Sequence, residues 1–245
     1  RIIEGLLSVA AGGTTSPALS ANDLSSLGVT GVNSGNLADV LNKLSQSADD
    51  GSGLNIIAKL QQLATSAANQ AAADAAQAII QAYDGTNTVP STNDYAAIGV
   101  FGVDSSNLAQ INQIVAQALE IETNSFAKIQ AIVDAVTKLD ALTDGTAGTG
   151  MSLTVVELNK LGVDGSGLAA AELTLLNSLL DRMYLTQVDT PTELQAAIDS
   201  VVKMIVIASG GSSTSALTSQ DFAAIGFSQV TDDHVMMVSV RIRES

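Results

Sequence analysis

Apolar residues along this chain recur at three- and four-residue intervals, the spacing of helices that bury one face. The spacing predicts two consecutive helices over roughly 105–121 and 125–142. A comparable pair is predicted over roughly 166–184 and from Thr190 onward. The periodicity therefore predicts an all-α protein.

A nine-residue pattern of polar and apolar positions occurs four times. It reads Ser/Thr, two variable residues, Asp/Glu, an apolar residue, two variable residues, an apolar residue and Gly, and a Val or Phe follows it. The hydroxyl, acidic and glycine positions are Ser20, Asp23 and Gly28; Ser91, Asp94 and Gly99; Thr154, Glu157 and Gly162; and Thr218, Asp221 and Gly226.

Each position of this motif predicts part of a short helix. The hydroxyl residue and the acid three positions later have the spacing of a capping box, and the acid also suits the positive end of the helix dipole. The glycine lies where a helix of about two turns ends in a left-handed conformation. Apolar residues before the cap and after the acid, such as Leu19 and Leu24, are spaced to form a hydrophobic staple.

The four motifs indicate a repeat. Their acidic positions are separated by 71, 63 and 64 residues, a length that fits a unit of one short and two longer helices. Residues 1–11 also align without a gap on residues 199–209. We therefore predict tandem three-helix units. The boundaries are 1–13 for the end of a preceding repeat, 14–85, 86–150 and 151–211 for repeats one to three, and 212–245 for the truncated start of a fourth.

Two segments depart from this plan. The Ala-rich stretch from Leu54 to Tyr83 is either one long helix or two helices separated near residues 66–70, and periodicity does not decide between them. Between Val235 and Ile242 apolar and polar residues alternate partway along, so we expect this segment to be frayed or to dock irregularly on repeat three.

Composition and charge exclude several classes of partner and site. The net charge is −15 with ten Lys plus Arg, which argues against a nucleic-acid partner and against an anionic membrane surface. Residues 201–208 form the most apolar run, which is too short for membrane insertion. The chain has no cysteine, so disulfides and Cys-ligated metals are excluded.

The sequence contains few residues or motifs that would indicate a catalytic, metal or cofactor site. His234, the only histidine, lies near a predicted helix start and is expected to be exposed. Four acid-glycine runs, at 49–53, 84–85, 144–145 and 164–167, lack the ligand set of a calcium loop and are predicted to be turns. No phosphate loop, nucleophile elbow or dinucleotide fingerprint occurs. We therefore predict no enzyme, catalytic residue, cofactor or metal site.

One resemblance follows from the motif and from the Gly-Val and Asn-Leu pairs after it, as in residues 94–103 and at Asn107-Leu108. The pattern resembles the Ala/Asn/Thr-rich helical repeats of giant bacterial surface and secreted proteins of the adhesin and biofilm-associated kind. That resemblance implies a secreted or cell-surface location and a role as spacer or scaffold. A looser similarity is to three-helix GA-type modules, although the linker and second-helix surface differ.

Two functions remain open from sequence. In the first, the chain is a structural repeat segment whose partners are neighbouring repeats of the same chain. In the second, it is a three-helix module that recognises a host protein or glycan, which requires an exposed apolar or aromatic patch. Most of the seven aromatic residues fall at predicted core positions.

Overall fold

The computed structural model describes residues 1–46, 56–210 and 216–244. These residues form thirteen α-helices and one 3-10 helix, and their one β-type pairing is an isolated bridge between Asp144 and Tyr184. The prediction of an all-α protein is confirmed. The α-helices are α1 (Ile2–Ala10), α2 (Ala21–Ser26), α3 (Leu37–Ser45), α4 (Ile56–Ala82), α5 (Thr92–Ala97), α6 (Leu108–Gln117), α7 (Glu120–Thr123), α8 (Phe126–Leu142), α9 (Val155–Lys160), α10 (Ala170–Leu180), α11 (Pro191–Ala208), α12 (Ser219–Ala224) and α13 (Asp232–Arg243).

The chain divides into two compact units, residues 1–78 and 79–245. The first unit has an aliphatic core between α1, α2, α3 and the first half of α4, and α1 packs against α3. Burial of these apolar surfaces is the main source of stability in such a unit. The core residues are Leu6, Ala10, Leu19, Leu24, Val29, Val40, Leu44, Leu60, Ala64 and Ala67.

The second unit contains one continuous apolar core. Its buried residues run from Ile80, in α4, to Ile225, which follows α12, and nearly all of them are aliphatic. Helices α6, α7 and α9 pack against α8, while α10, α12 and α13 pack against α11. The two longest helices of this unit, α8 and α11, therefore lie at the centre of its packing.

Two helices are shorter than periodicity predicts. The helix expected over 105–121 ends at Gln117, because Ala118 and Leu119 adopt extended backbone before α7 begins. Contacts of α7 with α8 hold this break, and the apolar spacing does not reveal it. The helix expected over 166–184 spans only Ala170–Leu180, and a 3-10 helix follows at Leu185–Gln187.

The Ala-rich stretch forms a single helix over its described part, Ile56–Ala82. Leu54 itself lies outside the described residues. Of the two C-terminal expectations, fraying was wrong, since Asp232–Arg243 is a continuous helix. This helix docks on α11, within the stretch predicted as repeat three. Val235, Val238 and Ile242 are about one helical turn apart, so they share one face of α13. That face packs on the core, where the three residues are partly buried.

The prediction that most aromatic residues occupy the core was also wrong. Tyr95 and Phe222 are buried and Tyr83 is partly buried. The remaining four are exposed, because they lie in loops or at helix ends where no neighbouring helix covers the ring. These four are Phe101, Phe126, Tyr184 and Phe227.

Candidate functional site

The twelve motif residues take part in the same local geometry in all four copies. Each hydroxyl residue is the N-cap of a six-residue helix, and its side chain accepts a hydrogen bond of 3.2–3.4 Å from the backbone N–H of the acid. The acid accepts the N-cap backbone N–H at 2.7–2.9 Å in return. This reciprocal pair satisfies N–H groups that a helix start otherwise leaves unpaired.

The glycine positions end these helices in the left-handed region. Their φ angles are 84°, 82°, 80° and 90° in chain order. The next residue donates its N–H to the carbonyl five positions earlier in every copy, for example Val100 to Tyr95 at 2.9 Å. This is a Schellman ending. Val29, Val100 and Val163 are buried as expected after it, but Phe227 is half exposed.

The capping acid has a second carboxylate oxygen, and in three copies a cation from a preceding helix binds it. Lys138 in α8 bonds Glu157 at 2.7 Å, and Lys203 in α11 bonds Asp221 at 2.7 Å. Arg1, at the start of α1, bonds Asp23 at 3.1 Å. The capping acid therefore links the N-terminus of its short helix to the preceding helix.

The carboxyl groups at these junctions are held in the ionised form. Burial raises the pKa of Asp221, but the hydrogen bonds from Lys203 and Thr218 outweigh it and leave the pKa below its usual value. The same balance, with Lys138 and Thr154 as donors, lowers the pKa of Glu157. For Asp23, the hydrogen bonds from Ser20 lower the pKa.

A glutamine on a long helix holds the loop after each of the first three short helices. Gln61 accepts the N–H of Thr30 at 2.8 Å and donates to its carbonyl at 3.1 Å. Gln130 makes the same pair of bonds with Phe101, at 2.8 and 3.1 Å. Gln195 accepts the N–H of Asp164 at 2.8 Å.

Buried asparagines hold the chain that enters two of the short helices. Asn177 accepts the N–H of Leu153 at 2.6 Å and donates to its carbonyl at 2.9 Å. Asn112 donates to the carbonyl of Pro90 at 2.8 Å and accepts the Tyr95 hydroxyl at 2.7 Å. Burial raises the pKa of this tyrosine, which stays a neutral donor.

The Gly- and Thr-rich linker over 143–150 is bound to the chain that follows α10. Asp181 accepts the N–H groups of Gly148 at 2.5 Å and Thr149 at 3.1 Å, and these bonds lower its pKa. The ring of Tyr184 lies on Gly145, where an added Cβ would come within 2.3 Å of it. This linker is therefore a packed connection rather than a free one.

A groove of 540 Å³ lies between α6, α7 and α9. Its rim carries the exposed apolar side chains of Leu119 and Val156. An ion pair between Lys160 and Glu122 lines it, and the hydrogen bond from Lys160 lowers the pKa of Glu122. The groove offers apolar contact and paired charges, but no nucleophile beside a base.

The other candidate residues serve local structure. His234 is exposed in the first turn of α13, with Nδ1 3.0 Å from the Thr231 hydroxyl. Asp84, Asp144 and Asp164 each accept the backbone N–H two residues later, as turn-forming aspartates do. The run at 49–53 lies outside the described residues. Within the described ranges, no cluster of three His, Cys, Asp or Glu side chains is arranged to hold a metal ion.

The sequence did not lead us to expect three sets of contacts. These are the loop-holding bonds of the glutamines, the bonds of the buried asparagines, and the ion pairs of the capping acids with preceding cations. A signal for the glutamines was present, because Gln61, Gln130 and Gln195 follow their motif glycines by 33, 31 and 33 residues. Aligning longer stretches of sequence around the four motif copies would have shown this recurrence. The cations also recur, at 18 or 19 residues before the acid for Lys203 and Lys138.

Comparisons with known proteins return no match to this chain among family models, curated proteins or solved structures. None of the helices in the described segments is both long and apolar enough to cross a bilayer.

Proposed function

We propose that this chain is a segment of a tandem array of three-helix units that serves as a spacer or scaffold in a large bacterial extracellular protein of the adhesin or biofilm-associated kind. In this proposal the partners of each unit are its neighbours in the same chain, and the segment has no catalytic role. The secreted or cell-surface location rests on the resemblance of the repeats alone.

The recurring junction between capping acid and preceding cation carries the proposal. Lys138 with Glu157 and Lys203 with Asp221 have the same length, the same carboxylate role and nearly the same sequence separation. A contact that recurs between one long helix and the next short helix is expected where equivalent units are stacked in series.

The core of residues 79–245 supports coupling between successive units. It is continuous from Ile80 to Ile225 and so includes residues from three motif copies. The packed linker adds hydrogen bonds from Asp181 to residues 148 and 149. Units coupled in this way resist bending and separation, which suits a spacer.

Thermal unfolding of excised pieces tests the proposal. A fragment spanning 86–150 should melt well below a fragment spanning 79–245, because excision removes the apolar contacts and the Lys138–Glu157 pair at its junction. Circular dichroism at 222 nm would measure both midpoints. Equal melting temperatures would mean that the units are independent beads, and the coupled array would be wrong.

The second candidate function is recognition of a host protein or glycan. The exposed aromatic rings favour it, especially Phe101, which is 75% exposed, and the groove beside Leu119 adds an apolar surface. Exposed aromatic side chains are typical anchors of binding surfaces. If this function holds, the immobilised chain retains a serum or matrix component and Phe101→Ala or Leu119→Ser reduces the retention. No retained component would contradict it.

A further inference from the structure

The backbone breaks after α6 and after α10 occupy equivalent positions. Residues 112–138 align without a gap on the stretch 65 positions later, so that the buried asparagines, the loop-binding glutamines and the lysines of two ion pairs coincide. This alignment pairs Ala118 with Met183 and Leu119 with Tyr184. Leu119 and Tyr184 both have extended backbone, so the two breaks can be compared residue by residue.

At the second break, a methionine fills the space beside the short helix that follows. Met183 is 2% exposed, and a Cβ built on Gly226 would lie 3.3 Å from its Cγ. The carbonyl of Met183 also accepts the N–H of Gly145 at 3.0 Å. This bond flanks the antiparallel bridge of Asp144 with Tyr184. Gly145 therefore stands opposite Met183 in a short extended pairing, and it adds no side chain of its own.

At the first break, the corresponding space is open. Ala118 replaces the methionine and lines the 540 Å³ groove together with Gly162, the motif glycine that follows α9. The carbonyl of Ala118 accepts no backbone N–H from the described residues. The preceding linker does not fill this place, since a Cβ built on Gly85 would meet only Ala116, at 3.8 Å. The groove therefore offers a backbone acceptor and room for a side chain of about the size of methionine.

The groove continues into a second pocket of 450 Å³, and Gln117 and Gly162 line both, so the two form one cleft. Asp164 lies in the first pocket and Asp199 in the second, and both are exposed. Among the described residues neither acid takes part in an ion pair, and the one lysine that lines the cleft is already bound to Glu122. The cleft therefore has an excess of negative charge, which favours a cationic partner and disfavours a second copy of this chain, whose net charge is −15.

We propose that this cleft binds an extended, basic segment of another protein. The segment donates a backbone N–H to the Ala118 carbonyl, as Gly145 does to Met183, and its unbranched apolar side chain enters the groove. Residues that face each other in such a pairing have Cβ atoms about 5 Å apart on the same face, so this side chain lies beside that of Ala118. A lysine or arginine of the segment then lies near Asp199. The proposal specifies the partner of the second candidate function above and rests on it.

Titration of the ¹⁵N-labelled 245-residue chain with a synthetic peptide tests the site. The probe is acetyl-Gly-Met-Gly-Lys-Lys-Gly-amide, which carries one unbranched apolar side chain and two cations. The amide signals of Leu119 and Gly162 should shift with a dissociation constant below about 1 mM. Peptides with glutamates in place of the lysines, or serine in place of the methionine, should each bind about tenfold more weakly.

Variants of the chain identify the groove. Ala118→Met should fill it from within, which raises the melting temperature by about 2–4 °C and weakens peptide binding at least about tenfold. Ala97→Met, at an exposed position outside the cleft, is the matched control and should change neither. Asp199→Asn, at an exposed site that leaves the fold intact, should weaken binding about threefold.

Three results would overturn the proposal. These are unshifted Leu119 and Gly162 signals at about 5 mM peptide, equal affinity for the lysine and glutamate peptides, and undiminished binding by both Ala118→Met and Asp199→Asn. None of them decides whether the chain recognises a host protein at all. If the immobilised chain still retained a serum or matrix component, recognition would hold and would belong to another surface, such as that of Phe101.

Discussion

Each short helix ends at a glycine whose backbone conformation turns the chain away from the helix. Gly99 has a φ of 82°, and a Cβ built on it would meet nothing within 4 Å. The requirement for glycine is therefore set by the backbone conformation rather than by space. L-residues pay a steric penalty in this left-handed region, whereas glycine does not.

Replacement of this glycine should destabilise the protein through the backbone alone. We expect Gly99→Ala to lower the free energy of unfolding by about 1–2 kcal/mol. The control is Gly167→Ala, because Gly167 also has no neighbour within 4 Å but no positive φ. Chemical denaturation would measure both, and the control should change by less than about 0.5 kcal/mol. Equal effects at the two sites would contradict the role of φ.

At the scale of elements, different helices are stabilised by different interactions. Helix α8 buries seven of its residues in the core. Helix α4 is longer, yet none of residues 68–75 in its middle is buried. That part depends on the high intrinsic propensity of alanine and on local bonds such as Gln70 to Asp74 at 2.8 Å.

Hydrogen exchange should separate these two helices. Amides of residues 68–75 should open with a free energy at least about 1.4 kcal/mol lower than amides of 129–139, a factor of ten or more in exchange rate. Native-state exchange followed by mass spectrometry would measure both sets in one sample. Equal protection in the two segments would show that contacts other than those described hold the middle of α4.

At the scale of the whole molecule, two capping acids, each paired with a lysine of the preceding helix, make the stability depend on pH. The pKa values of Glu157 and Asp221 are lowered from their ordinary values of 4.5 and 3.8. Their contribution to stability is therefore present above those ordinary values and is lost as pH falls through the lower folded-state values. The chain should keep this contribution from pH 7 to about 5 and lose it progressively below about 4, as chemical denaturation at a series of pH values would show.

The Lys203–Asp221 contact can be isolated within this pH profile. We expect Lys203→Met, which keeps the length of the side chain, to lower the free energy of unfolding at pH 7 by about 1 kcal/mol. The difference from the parent chain should close as the pH falls through the lowered folded-state pKa of Asp221, because the acid is then protonated in both proteins. Arg182→Met removes the same charge at an exposed site and should change little. A deficit that persists in acid would mean that packing, not the ion pair, was lost.

The sequence by itself determined the features that depend on near neighbours. Ser91 caps a helix through Asp94, three residues away, and the chain turns at the next glycine, so these groups find each other in any copy of the motif. The all-α class followed from apolar periodicity for the same reason. Both are properties of a few consecutive residues.

The tertiary structure decided everything that depends on distant partners. Gln130 meets Phe101 across 29 residues, and α6 stops at Gln117 although its apolar spacing continues. Whether Phe101 is buried or exposed depends on which helix lies over it, which local pattern does not specify. Apolar periodicity marks the face that a helix can bury, but only the arrangement of the neighbouring helices determines how far that face is covered.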